Sequence, residues 1–183
     1  MIMARIIYKD GCDGQKRLEC IEGIEIDLLN GQKALIYPRY SNEQLLDPKD
    51  SERWHDTGVS ETAALKLRDN QAGTAALLEA GSPAAEFVSK FTSERFGRFG
   101  LPTLLAAIEI ADRKEEIDEL AREIDGVDLL EDFSFSVWSC SRYSPRYGWV
   151  AVGDGGFTDG FILSAGNVAV PLVLLKVIAY GVA

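Results

Sequence analysis

The side chains able to run a reaction are few and scattered along the chain. Hydrolysis by a Ser-His-Asp arrangement needs an imidazole to carry the proton, and the single histidine, His55, sits beside Trp54 in a polar run with no nucleophile motif near it. A Cys140 nucleophile needs a base to generate its thiolate, and the sequence offers none beyond that remote histidine. Asp128, Glu131 and Asp132 have the types for acid–base work, yet clustered carboxylates in an acidic chain ordinarily face water. Gly153-Asp154-Gly155-Gly156 has the look of a phosphate loop, but a β-rich run follows it, so no helix N-terminus is available and no Gly-Lys-Ser/Thr completes the pattern. Asp154 and Asp159 together fall short of the about six to eight oxygens that calcium takes. The expectation is a chain with no catalytic residue, no metal and no cofactor.

Charge and cysteine usage narrow the class further. The formal net charge is −10 over 183 residues, and the excess acid lies in residues 1–132, since the remainder holds Arg142, Arg146 and Lys176 against Asp154 and Asp159. Nucleic-acid binding depends on a Lys and Arg surface that neutralises phosphates, so an acidic body argues against it. Cys12, Cys20 and Cys140 match neither a zinc ribbon nor a redox Cys-x-x-Cys, and all three are expected reduced. The longest apolar run, Val168 to Tyr180, is broken by Pro171 and Lys176 and is well short of the roughly 20 residues of a membrane helix. Charges interrupt the first ten residues, unlike a signal peptide. No membrane association and a cytoplasmic or virion-associated location are expected.

The elements that would position any site divide the chain in two, giving an α+β expectation. Residues 1–50 read as an N-terminal β-hairpin unit: Ala4 to Tyr8 and Ile24 to Leu28 are β-rich, and Asn30-Gly31 marks a type I′ turn into Ala34 to Tyr37. Asp47 to Gly58 is rich in turn formers and reads as an exposed connector carrying the boundary. Residues 59–183 then begin with helical stretches. The first runs from about Glu61 to Arg68 and onward past a weak point at Gly73. A second is opened by Ser82-Pro83 and a third by Leu101-Pro102-Thr103. Asp112-x-x-Glu115 fits a capping box, and Leu104, Leu105, Ile108, Ile117, Leu120 and Ile124 form a stripe expected to pack on the C-terminal sheet.

Beyond Leu130 the texture is β-rich: Ser136 to Cys140, Trp149 to Val152, Gly160 to Ser164 and Val168 to Val177. The later connections are short enough for antiparallel neighbours, so a meander of about four strands is predicted. In the last strand both parities are apolar, with Val168, Val170, Leu172 and Leu174 on one face and Ala169, Val173, Leu175 and Val177 on the other, as in a strand covered on both sides. A binding surface is better sought at the loop Ser141 to Tyr147. It concentrates tyrosine and arginine, which are enriched at binding hot spots, and Pro145 limits its entropy loss on ordering. Tyr143, Arg146 and Tyr147 are the expected ligand-binding residues, with Trp149 as supporting aromatic.

Two segments in order carry a family resemblance: Phe99-Gly100-Leu101-Pro102-Thr103-Leu104 opening a helix, then Trp138-Ser139-Cys140-Ser141 followed by Tyr147-Gly148-Trp149-Val150-Ala151-Val152. With Ala169-Val170-Pro171-Leu172, they resemble a C-type-lectin-like family of gut bacterial and prophage proteins, related to the variable proteins of diversity-generating retroelements, over about residues 97 to 178. Two departures stand out: the family's Glu after Trp-Ser-Ser is Arg142 here, and the Arg of its Val-Arg-Pro-Val is Val170. The resemblance implies a lectin-like fold in a non-enzymatic binding or structural protein, such as a prophage tail or receptor-binding component, with a protein or cell-surface ligand as partner. It does not imply calcium-dependent sugar binding or cysteine oxidation, whose signatures are missing. An oligomeric assembly module that contacts only its own copies is the alternative, and an enzyme the third.

Overall fold

The computed structural model describes residues 4–54, 58–124, 136–153 and 157–175. Within them the chain is mixed α and β. Strands β1 (Arg5–Tyr8), β2 (Ile21–Asp27), β3 (Lys33–Ile36) and β4 (Ser41–Gln44) come first. Helices α1 (Glu61–Lys66), α2 (Gln71–Ala80) and α3 (Pro83–Val88), the short strands β5 (Thr92–Ser93) and β6 (Gly97–Arg98), and helices α4 (Leu104–Asp112) and α5 (Lys114–Glu123) follow. The chain then forms β7 (Ser136–Ser144), β8 (Tyr147–Val152), β9 (Phe157–Ile162), β10 (Gly166–Ala169) and β11 (Leu172–Leu175). None of the described helices is long and apolar enough to cross a membrane.

Local chemistry accounts for the helix starts. Ser60, Ser82 and Thr103 each sit in extended backbone and accept from the N–H three residues on, at Ala63, Ala85 and Ala106, which satisfies one orphan donor of each first turn. The predicted run past Arg68 is instead two helices, because Leu67 to Asn70 leaves the helical path between α1 and α2. The capping box at Asp112 does not form: Asp112 ends α4, and Arg113 opens α5 without a side-chain cap. At the first hairpin the Leu28 N–H donates to Gln32 and the Gly31 N–H to Leu28. The loop therefore has three residues with Gly31 at φ 81°, a longer solution than the predicted type I′ turn that still uses glycine for the left-handed position.

Two main sheets result, one ordered β1-β2-β3-β11 and the other β4-β10-β7-β8-β9. The predicted C-terminal meander holds for β7, β8 and β9, which pair antiparallel. It fails at the fourth strand. β10 bridges β7 in parallel, Val168 opposite Val137, and pairs β4 antiparallel. The physical reason is its apolar composition on both faces, which suits an interior place between two strands; the partner that completes it is Ser-Asn-Glu-Gln of β4, a polar run with no strand signal of its own. The single strand expected over Val168 to Val177 is broken as well. Val170 and Pro171 leave one sheet, and β11 enters the other against β3; proline, lacking an N–H, cannot extend a ladder.

The predicted faces survive this break. Val168, Val170, Leu172 and Leu174 all join one core with Ile24, Ile26 and Ile36 of the first sheet, Ile110 of α4 and Ile117 of α5. On the opposite side Ala169 joins Trp138, Leu77 and Val88, whereas Val173 and Leu175 join Leu35 and Phe99; Val177 lies outside the described residues. The five-stranded sheet is thus covered by α4 on one face and by α2 and α3 on the other. Of the predicted helical stripe, α4 packs on β7 and β8 but α5 packs on β2, with Leu120 only half-buried. Both sheets draw strands from either side of the expected boundary at Asp47 to Gly58, through β3 with β11 and β4 with β10. The connector itself is less exposed than predicted, since Trp54 is buried at 1%.

Candidate functional site

Among the described residues, the hairpin end formed by β7, β8 and β9 gathers most of the large apolar side chains left in solvent. Tyr143, Tyr147 and Ile162 are 47%, 40% and 45% exposed. Tyr147 pairs with Ser144 on β7 and with Ile162 on β9, so the three belong to one end of one sheet. Arg146 is exposed at the turn between them. Alternation on β8 decides what lies beneath: Tyr147 and Trp149 share a parity, and Trp149, at 7% exposure, is the buried continuation of the same face. Its ring meets that of Tyr143 edge-on at 4.6 Å between centroids, and Tyr143 meets Tyr147 edge-on at 6.3 Å, the preferred perpendicular geometry for aromatic pairs. Three of the predicted ligand-binding residues, Tyr143, Tyr147 and Trp149, therefore meet ring to ring, and Arg146 is exposed at the adjoining turn.

The platform is held in place by unobtrusive groups. The Trp149 indole N–H donates to the Val59 carbonyl at 2.9 Å, and the indole packs with Leu104 and Ala64. Tyr143 lies against Gly160, where any Cβ would come within 2.5 Å of the ring. The turn is tied down by Arg142. Its guanidinium donates to the carbonyls of Ser144 and Pro145 at the turn and to those of Ser51 and Trp54 in the connector, and it sits 5.2 Å from the centre of the Trp54 ring. One buried cation thus fixes the turn to a segment 88 and 91 positions earlier in the chain. The Leu163 N–H donates to the Arg146 carbonyl, which puts the start of the β9–β10 link beside this same turn.

Chemically the arrangement offers two phenols, an aliphatic side chain and a guanidinium on a fixed base, which suits stacking, apolar contact and hydrogen bonding to an acceptor. Of the candidates for reaction chemistry, the described ones are the cysteines and Asp159. Cys140 is 1% exposed and belongs to the core between β7, α2 and α3; Cys12, Cys20 and Cys140 are all free thiols. Asp159 is exposed and accepts from the Gly160 N–H. His55, Asp128, Glu131, Asp132 and Asp154 lie outside the described residues, and among the described residues no three His, Cys, Asp or Glu side chains group as a metal site. Sequence reading missed Arg142 as an anchor, and it missed Ile162 and Gly160. A glycine inside a strand is a known sign of close approach, so Gly160 was open to that reading. Compared with protein-family models, curated proteins and solved structures, the chain matches none.

Proposed function

We propose that the chain is a non-enzymatic binding protein that presents the Tyr143, Arg146, Tyr147 and Ile162 end of its C-terminal sheet to a protein or cell-surface ligand. The observation that carries this reading is the concentration of exposed aromatic and aliphatic side chains on a turn already immobilised by Arg142. A preordered aromatic patch loses little conformational entropy on binding, and tyrosine with arginine is the composition of binding hot spots. The resemblance of residues 97 to 178 to C-type-lectin-like proteins of gut bacteria and prophages supports the finer form of the proposal, a lectin-like display surface in a phage tail or receptor-binding component.

The test is binding of the labelled protein to a glycan array and to whole bacterial cells. Arg146→Ala with Tyr147→Ala, both at exposed positions, should leave thermal stability within a few degrees and weaken any binding found by at least about 1 kcal/mol. Lost stability with unchanged binding would show the turn to be structural only. A second reading, self-association, draws on the position of Ile162 on β9, an edge of the five-stranded sheet, because edges pair readily with further strands. Native sedimentation separates the two, since an assembly module should run well above 20.1 kDa.

A further inference from the structure

Away from that patch, a cleft of about 970 Å³ opens between the α1–α2 link, the β5–β6 hairpin and β11. Its wall carries Arg68, Arg95 and Arg98, and its apolar floor includes Phe96, Val173 and Leu175. Three arginines line one concavity, where like charges repel, and Asp69 is the single carboxylate among the lining residues. That carboxylate is engaged: it accepts from the Gln71 N–H at 2.8 Å. None of the three arginines forms an ion pair among the described residues. One terminal nitrogen of Arg68 donates to the Leu65 and Leu67 carbonyls, and Arg95 rests 5.0 Å from the centre of the Phe96 ring. In a chain of net charge −10, such a concentration of cations stands against the overall field.

The backbone under these side chains is held. The Gln32 amide donates to the Arg68 carbonyl at 3.1 Å, and the Gln71 amide donates to the Arg98 carbonyl at 3.0 Å. Ser93 accepts from the Phe96 N–H at 2.9 Å and tightens the turn that carries Arg95. Two of the arginines are thus fixed at their backbones, and a third is stacked over an aromatic ring. Guanidinium forks match planar and tetrahedral oxyanions, and the volume falls in the range of small-molecule sites. We propose that this cleft binds a small organic oxyanion, a carboxylate or phosphate monoester carried on an apolar or aromatic body, with the anion on the arginines and the body on Phe96 and β11. The site is independent of the tyrosine patch.

Amide-resolved NMR titration of the full chain at low salt with phenyl phosphate, benzoate and inorganic phosphate tests the proposal. At least one aryl anion should shift the amides of Gln71, Arg98 and Leu174 and bind about tenfold tighter than inorganic phosphate; which aryl anion is preferred tells carboxylate from phosphate. Arg95→Gln with Arg98→Gln, both exposed, should weaken that binding about tenfold or more while the spectrum stays folded. Should the pair unfold the chain, Arg95→Gln alone carries the comparison. No shift with either aryl anion at millimolar concentration, equal binding of inorganic phosphate, or unchanged binding in the variant would each overturn the site.

Discussion

At the scale of single residues, two buried charged groups, Arg142 and Glu109, are held in different ways. Arg142 donates to four carbonyls, which makes a cation there structural: each acceptor would otherwise lose a partner. Arg142→Ala should therefore destabilise by about 2–4 kcal/mol in urea unfolding, and a loss under about 0.5 kcal/mol would mean the turn holds itself. Glu109 shows the opposite balance. It is 4% exposed on α4, and burial pushes its carboxyl pKa up, against the opposing pull of the Arg113 guanidinium and a backbone hydrogen bond from Leu29. A carboxyl whose folded pKa is raised contributes its full stability below its unfolded pKa and loses it as pH rises through the folded one. Relative to Glu109→Gln, the wild type should lose stability as pH climbs from about 4 toward neutrality; the reverse slope in pH-series unfolding would contradict this. Tyrosine and arginine at the turn were legible from composition, whereas partners as distant in sequence as Arg142 and Trp54 were not, because nothing local marks them.

At the scale of elements, periodicity and capping residues named most helices and strands, and close approach decided the rest. Gly73 reads in sequence as a weak point in a helix, where alanine would gain about 1 kcal/mol. In the structure α2 crosses β7 at that glycine, and a Cβ would stand 2.7 Å from the Cys140 carbonyl oxygen and 3.2 Å from its Sγ. The clash involves backbone on the partner strand, so it outweighs propensity: Gly73→Ala should destabilise by about 1–3 kcal/mol, and a rise in melting temperature would show that the two elements separate easily. The strands that sequence reading misplaced are those whose partners are remote. β4 is polar and draws its order from β10, while β10 and β11 look like one strand because the apolar alternation runs unbroken through Pro171. Alternation reports which face a residue takes, and here it did so correctly from Val168 to Leu175 in the core contacts. It carries no information on which neighbour lies alongside.

At the scale of the whole molecule, the two sheets depend on each other. β3 is flanked by β2 and β11, and the core under it includes α4 and α5. A fragment of residues 1–50 should therefore lack stable structure: its circular dichroism and amide dispersion should be those of an unfolded chain, and a cooperative thermal transition in that fragment would show the first sheet to be self-sufficient. The surface follows the same economy, with apolar groups clustered at one sheet end and cations grouped in a cleft elsewhere, so that two distinct contacts can form on one body. The pairing of Ile36 with Leu172 also bears on how the protein is made. During synthesis the first sheet waits for its outer strand until the ribosome has released nearly everything described above, leaving an apolar strand edge open meanwhile. Contacts this far apart in sequence slow the search for the native state, and open edges recruit foreign strands, so the interval before β11 emerges is when the growing chain is most exposed to association.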